Sequence, residues 1–239
     1  MQPSIIEGAV GQQNLAHQRL PFTVQPAIDG ADLLRCAVLR QAAYGRHVPN
    51  FALTLAQPES ADGRPDAVVL LARAKFDGAA VGTLRIQTNI VEPLPLERTV
   101  TLPEIYQGKR LAEAVRLAVP NGNEGLLPRD VLFKAFYLAC VDMRIDWMVI
   151  CARHPLHKLY LGLHFHDVFA NGEFIPMPHI GDIPHRVLAL RVSDVERLWR
   201  EPRHRLYQLF FEMAHDDIKL NLSRHPITLA DYPTGTVVA

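Results

Sequence analysis

The sequence predicts an α/β protein with a mixed, mainly antiparallel twisted sheet flanked by helices, and a helical C-terminal extension. Three observations predict it. Two alternating apolar segments, AVVLLARAKF and AAVGTLRIQTN, flank Asp77-Gly78, a strong tight-turn signal for a hairpin. A continuous apolar run, WMVICA (147–152), reads as a strand buried on both faces in a parallel pairing. Between them PRDVLFKAFYLACVDM carries apolar residues at helical spacing.

Taken in order, residues 1–20 are polar and without periodicity, and read as a tail or arm. PFTVQPA (21–27) is a first strand. Asp29 or Asp32 caps a helix running to Tyr44, with Leu33, Leu34, Ala37, Val38 and Ala42 at helical spacing. GRHVPNFALTLAQPESADGRPD (45–66) is loop by its Gly, Pro and Asp content, with one short helical turn. Its Phe51, Leu53 and Leu55 either line a tunnel or pack the loop down. In the hairpin, Arg73, Lys75 and Arg85 alternate with apolar residues, which makes one face cationic. VEPLPLERTVTLPEIYQGKR is too Pro-rich for regular strand; Pro103 to Gly108 form a helical turn.

RLAEAVRLAVP (110–120) is the segment around which the rest is arranged. Strict alternation puts Glu113, Val115, Leu117 and Val119 on one face, and Ala112, Ala114 and Arg116 on the other. A carboxylate among apolar neighbours needs a partner or a wet cleft. Glu113 is therefore either half of an ion pair with Arg85 or Arg116, or a general base. PNGNEGLL follows as a Gly-bearing loop feeding a helix, with Pro128 in the first turn. Asn121, Gly122, Asn123 and Gly125 thus form either a phosphate-binding loop or an ordinary strand-to-helix turn. After WMVICA, His154-Pro155 opens a helix that Gly162 ends. Asn171-Gly172 is the turn of a final hairpin with VLALRV as its last strand. Ser193 caps a C-terminal helix, Pro202 breaks it, and a second helix follows. Its stripe of Trp199, Leu206, Leu209, Phe210 and Met213 is a packed extension or a homodimer surface. The division is an arm (1–20), a main domain (21–192) and a C-terminal extension with its tail (193–239).

The order of these segments resembles that of acyl-homoserine-lactone synthases and long-chain N-acyl amino acid synthases, within the GNAT acyltransferase superfamily. Glu113, Arg116, Leu117, Ala118 and Val119 stand as the E-x-x-R-L-A-V core of those enzymes; VGTLRI (81–86) resembles the preceding strand, and YLGLHF (160–165) the Y-x-x-x-G-F element, with His164 inserted. The resemblance covers about 22–190. It implies transfer of a fatty acyl group from a thioester to the amine of an amino acid. Glu113 would be the base, the backbone at Leu117 to Val119 the oxyanion site, Arg116 or Arg85 the holder of the acceptor carboxylate, and Phe51 part of the acyl or acceptor wall. Tyr160 either protonates the leaving thiolate or packs its helix. NGNEGL departs from the Q/R-x-x-G-x-G/A loop that holds the pyrophosphate of coenzyme A in GNAT enzymes. That departure favours phosphopantetheine of acyl carrier protein over acyl-coenzyme A as co-substrate. Arg129, Lys134 and Arg144 meet an acidic carrier or are solvated surface. Trp occurs only at 147 and 199, so the paired tryptophans of the lactone synthases are missing and an N-acyl amino acid is the expected product. Two other classes remain: a coenzyme A-dependent N-acetyltransferase, or a non-catalytic acyl-ligand-binding or scaffold protein of the same fold.

Composition sets the remaining limits. A net charge of zero gives no reason to expect nucleic acid. Three widely spaced cysteines, Cys36, Cys140 and Cys151, read as buried free thiols in a reducing cytoplasm, not as a disulfide framework. The N-terminus has no signal-peptide pattern, and no apolar run reaches membrane-spanning length. Membrane contact would be peripheral, through a lipid product. His164-x-His166 lacks a third ligand at convincing spacing, so no metal or resident cofactor is expected.

Overall fold

The computed structural model describes residues 15–222. The expected arm up to residue 14 and tail from residue 223 lie outside them. The strands are β1 (Ala16–His17), β2 (Phe22–Pro26), β3 (Ala67–Ala74), β4 (Ala80–Thr88), β5 (Leu111–Ala118), β6 (Trp147–Arg153), β7 (His166–Asp167), β8 (Ile175–Met177), β9 (Ile183–Arg191) and β10 (Met213–Ala214). The helices are α1 (Gly30–Gly45), α2 (Pro49–Leu53), α3 (Pro95–Thr99), α4 (Leu126–Asp142), α5 (His157–Gly162) and α6 (Val195–Arg200). The main sheet runs β2-β3-β4-β5-β6-β9-β7, with β8 on β9; β1 and β10 form a separate pair. Every pairing in the main sheet is antiparallel except β5 with β6.

Local chemistry explains the elements. The Asp29 side chain accepts the Asp32 N–H at 2.7 Å and caps α1. Gly78 takes φ +73° in the β3–β4 turn. The hairpin is as expected, but β3 lies one strand in from the edge, and the centre belongs to β4, β5 and β6. The apolar face of α4, from Val131 to Cys140, buries against Leu70, Leu84, Ile86 and Ala112 on one side of the sheet. Val141, on the opposite side of the helix, is 50% exposed. α1 covers the other side over Val69 and Leu71.

Three expectations are corrected. The final hairpin is β8–β9, and its turn lies at 178–182, where Gly181 and Asp182 have positive φ. Asn171-Gly172 also has positive φ, but follows the short strand β7. The C-terminal extension holds α6 and then only one π-helical turn, Gln208–Glu212, in place of a second helix. Ser193 sits in a 3-10 turn ahead of α6 and does not cap it. Trp199, Leu206 and Phe210 of the stripe are buried in the same core as α4. The charges of the cationic face are each paired, and only Arg85 among them is buried. Arg73 pairs with Asp32, Lys75 with Asp217 at 2.8 Å, and Arg85 with Asp62 at 2.9 Å. Tertiary packing brings acids from α1, the 45–66 loop and the C-terminal segment onto it.

Candidate active site

The cleft arises where two strands part. β5 pairs with β6 only from Leu111 opposite Trp147 to Glu113 opposite Val149. Both strands continue beyond, β5 to Ala118 and β6 to Arg153, without pairing. A cavity of about 320 Å³ fills the space, within the usual range of small-molecule sites. Val115, Leu117, Val119, Leu156 and Leu159 supply apolar wall; Glu113, Cys151, Tyr160 and His185 supply the chemistry.

A β-bulge shapes the floor. Arg85 is opposite Val115, yet Thr83 is opposite Ala118, so Arg116 and Leu117 together face Leu84. Arg116 takes φ +56°, where a bulge ordinarily prefers glycine. Alternation therefore fails at this residue, and the face expected for Arg116 is wrong. Its guanidinium joins Arg85 on the α1 side, donating to both Glu59 oxygens at 2.8 Å and lying 5.0 Å from the Phe51 ring centre.

That fork contact belongs to a buried charge network. Arg40 donates to both Asp62 oxygens, and Arg85 bridges Asp62 and Glu59. Burial favours the neutral acids, but the hydrogen bonds and charges of Arg116, Arg85 and Arg40 hold Glu59 below the usual carboxylate range; Arg40 and Arg85 do the same for Asp62. Three cations against two anions leave one positive charge in excess.

Glu113 is not the missing partner by contact. It is completely buried, and among the described residues neither oxygen meets a nitrogen or oxygen donor; its polar neighbour is the Cys151 thiol. The ion pair with Arg85 or Arg116 is absent, since both arginines are committed to Glu59. Burial pushes the Glu113 carboxyl up to about 7, and the Cys151 thiol, Arg116 and Arg85 only partly oppose it. Burial likewise raises Cys151, and the Glu113 charge adds to that.

Tyr160 lies in the cavity wall and packs on Phe133 and Phe165. Burial raises its phenol, so it remains a proton donor. Phe51, Leu117, Ala118 and Val119 all line the cavity. Leu53 is 71% exposed and Leu55 is core, so neither belongs to a tunnel. Asn121, Gly122 and Gly125 line the cavity beside the start of α4; Asn123 does not. The turn is tight: a Cβ on Gly125 would lie 2.1 Å from the Pro120 carbonyl oxygen. Arg85 is buried behind Arg116 and does not reach the cavity wall. Lys134 is no docking residue either. It is buried under the extension and donates to the Leu209 and Met213 carbonyls. Arg46 and Arg129, by contrast, line the cavity, and Arg46 spans from α1 to the Val119 carbonyl at 3.2 Å.

Glu59, Asp62, Arg40, Cys151 and His185 carry much of this site, and no local pattern marks them. Acids in a Gly- and Pro-bearing loop look solvated until the loop folds over the sheet. Among the described residues no group of three His, Cys, Asp or Glu side chains has metal-site geometry.

No protein-family model matches the sequence, and no curated protein matches it. Solved structures do. FeeM, an N-acyl amino acid synthase from uncultured soil microbes, superposes with a TM-score of 0.58 at 17% identity over 79% of this chain and 97% of its own. The coenzyme A-dependent acyl-homoserine lactone synthase BjaI gives 0.52 at 12% identity, over 83% and 95%. The PaiA N-acetyltransferase from Thermoplasma acidophilum gives 0.50 at 9% identity, over 72% and 99%. The chain has the GNAT-like acyltransferase fold. At these identities the likeness establishes the fold, and the chemistry must be argued from the residues.

Proposed function

We propose that this protein is an N-acyltransferase that moves a fatty acyl group from the phosphopantetheine thioester of acyl carrier protein to the amine of an amino acid. The observation that carries the reading is Glu113: a carboxyl with no ion-pair partner among the described residues, pushed up to about 7 by burial, in the wall of an apolar cavity at the parting of β5 and β6. A structural ion pair would not leave it bare, and a base is most effective when its pKa lies near working pH.

The roles follow from position. The donor thioester enters between the strands, with its chain against the apolar wall. Attack by the amine places negative charge on the thioester oxygen. The bulge at Arg116 and Leu117 frees backbone N–H groups from the ladder, and those toward Val119 receive that charge. Glu113 removes a proton from the nitrogen. Tyr160, which lines the cavity and whose phenol burial keeps protonated, supplies one to the leaving thiolate. Arg116 holds the acceptor carboxylate by exchanging Glu59 for it, since its fork already has carboxylate geometry. Arg46 and Arg129 at the cavity meet the phosphate of the donor arm and the acidic carrier.

One feature favours coenzyme A as donor instead: the 17-residue helix α4 begins at the cavity, and its first turn can receive a phosphate. Against it, the loop departs from the Q/R-x-x-G-x-G/A pattern, and Pro128 removes one N–H from the first turn of α4.

The test is mass spectrometry of lipid extracts from a heterologous host expressing wild-type protein or Glu113→Gln, followed by assays with acyl carrier protein and acyl-coenzyme A donors. New N-acyl amino acids from wild type alone are expected. Equal product from Glu113→Gln removes Glu113 as base, and product from acyl-coenzyme A alone reverses the donor assignment.

A further inference from the structure

An ammonium that becomes an amide must lose two protons, one before attack and one from the adduct. Glu113 accounts for one. It sits at the last paired position of β5 and β6, at the closed end of the cavity, so a cation entering where the strands have parted does not meet it first. This deepens the acyl-transfer reading and rests on it.

His185 lies on β9, opposite Arg153 of β6, and lines the same cavity as Glu113 and Tyr160. Its Nδ1 is 2.6 Å from the Ile183 carbonyl oxygen. A carbonyl oxygen only accepts, so Nδ1 carries the ring proton and Nε2 presents a lone pair. That Nε2 has no partner among the described residues, and it is not sealed off as both nitrogens of His179 are. The groups facing the ring are Arg153 from β6, Arg116 from β5 and His179 from the turn before β9; none is an acid. Burial favours the neutral ring, the Ile183 bond opposes it, and the two arginines tip the balance to neutral. Glu113 pairs in register with Val149, while His185 faces Arg153 four residues further along β6. At strand rise this is roughly 13 Å along the sheet, too far for one nitrogen to touch both groups at once.

We infer that His185 Nε2 takes the first proton from the incoming ammonium and that Glu113 takes the second after the amine has moved to the thioester. The balance is complete. The N–H bond breaks toward His185, and the freed pair forms the C–N bond. A second N–H proton passes to Glu113, the C–S bond breaks, and Tyr160 protonates the thiolate. Solvent then restores Tyr160 and clears His185 and Glu113, with one proton released overall.

The experiment compares wild type with His185→Gln across pH. At neutral pH kcat/KM of the variant should fall on the order of 100-fold with an amino acid acceptor. The loss should close as pH rises through the acceptor's own titration, and should close at lower pH with an amino acid ester, whose ammonium is the stronger acid. A loss equal at every pH and with both acceptors, or no loss, overturns the inference. A second readout needs no turnover: nitrogen NMR of the imidazole should show the Nδ1–H tautomer, and an Nε2–H tautomer overturns the inference. Wild-type protein that forms no N-acyl product with any donor defeats the acyl-transfer reading itself, a result separate from an active wild type with an unaffected variant.

Discussion

Replacing Glu113 by Gln should make the protein more stable at alkaline pH while abolishing its use as a base. In the folded chain the carboxyl sits at about 7, against an ordinary 4.5. A raised carboxyl favours the folded state while protonated. That contribution is full below about 4.5 and is lost as pH rises toward 7, because the unfolded chain ionises first. At roughly 1.4 kcal/mol per pH unit over this interval, the wild type gives up about 3 kcal/mol. Gln cannot ionise, and it fills the same volume. Urea unfolding of both proteins from pH 4 to 8.5 reads the difference directly. The curves should coincide near pH 4 and separate progressively, with the variant ahead by about 3 kcal/mol at pH 8 or, for a domain of this size, about 2–4 °C in Tm for each kcal/mol. Parallel pH dependences would refute the reasoning, because they would mean that Glu113 is solvated or paired in the folded protein.

Three further outcomes follow from particular contacts. Glu59→Gln removes the carboxylate shared by Arg116 and Arg85, and should destabilise by about 3 kcal/mol because buried cations lose their counter-charge; denaturant midpoints check it. Gly125→Ala places a methyl against the Pro120 carbonyl, so the turn must open; a cost of about 1–3 kcal/mol is expected, with weaker donor binding by calorimetry. Lys134→Met strands the Leu209 and Met213 carbonyls and should loosen the C-terminal segment, seen as faster amide exchange around residues 209–215 with little change in the affinity for acyl carrier protein.

The Asp77-Gly78 hairpin, the α1 cap at Asp29, the α4 pattern and the parallel strand 147–153 were all legible because each follows from local rules: a turn dipeptide, a capping oxygen, a 3.6-residue period, an apolar run bounded by polar ends. Glu113 was also legible, since a charge within an apolar strand is conspicuous anywhere. Its partner was not. Sequence spacing offered Arg85 and Arg116, whereas the fold gives both to Glu59, from a loop that reads as ordinary coil. Charge pairing over 26 and 57 residues depends on where a loop lands, and no periodicity encodes that. Lys134 shows the same limit in reverse: its charge reads as surface until the extension closes over it.

By itself, then, the sequence determined the main elements from the first strand to 147–153, their order and the residue with unusual chemistry, because those depend on neighbours along the chain. Only the tertiary structure decided that β5 and β6 part after Glu113, that a bulge turns Arg116 toward α1, and that His185 reaches the cavity with a nitrogen that has no partner among the described residues. Each of these depends on how strands from distant parts of the chain meet in register, and the energy of such a meeting is carried by contacts that no single segment contains.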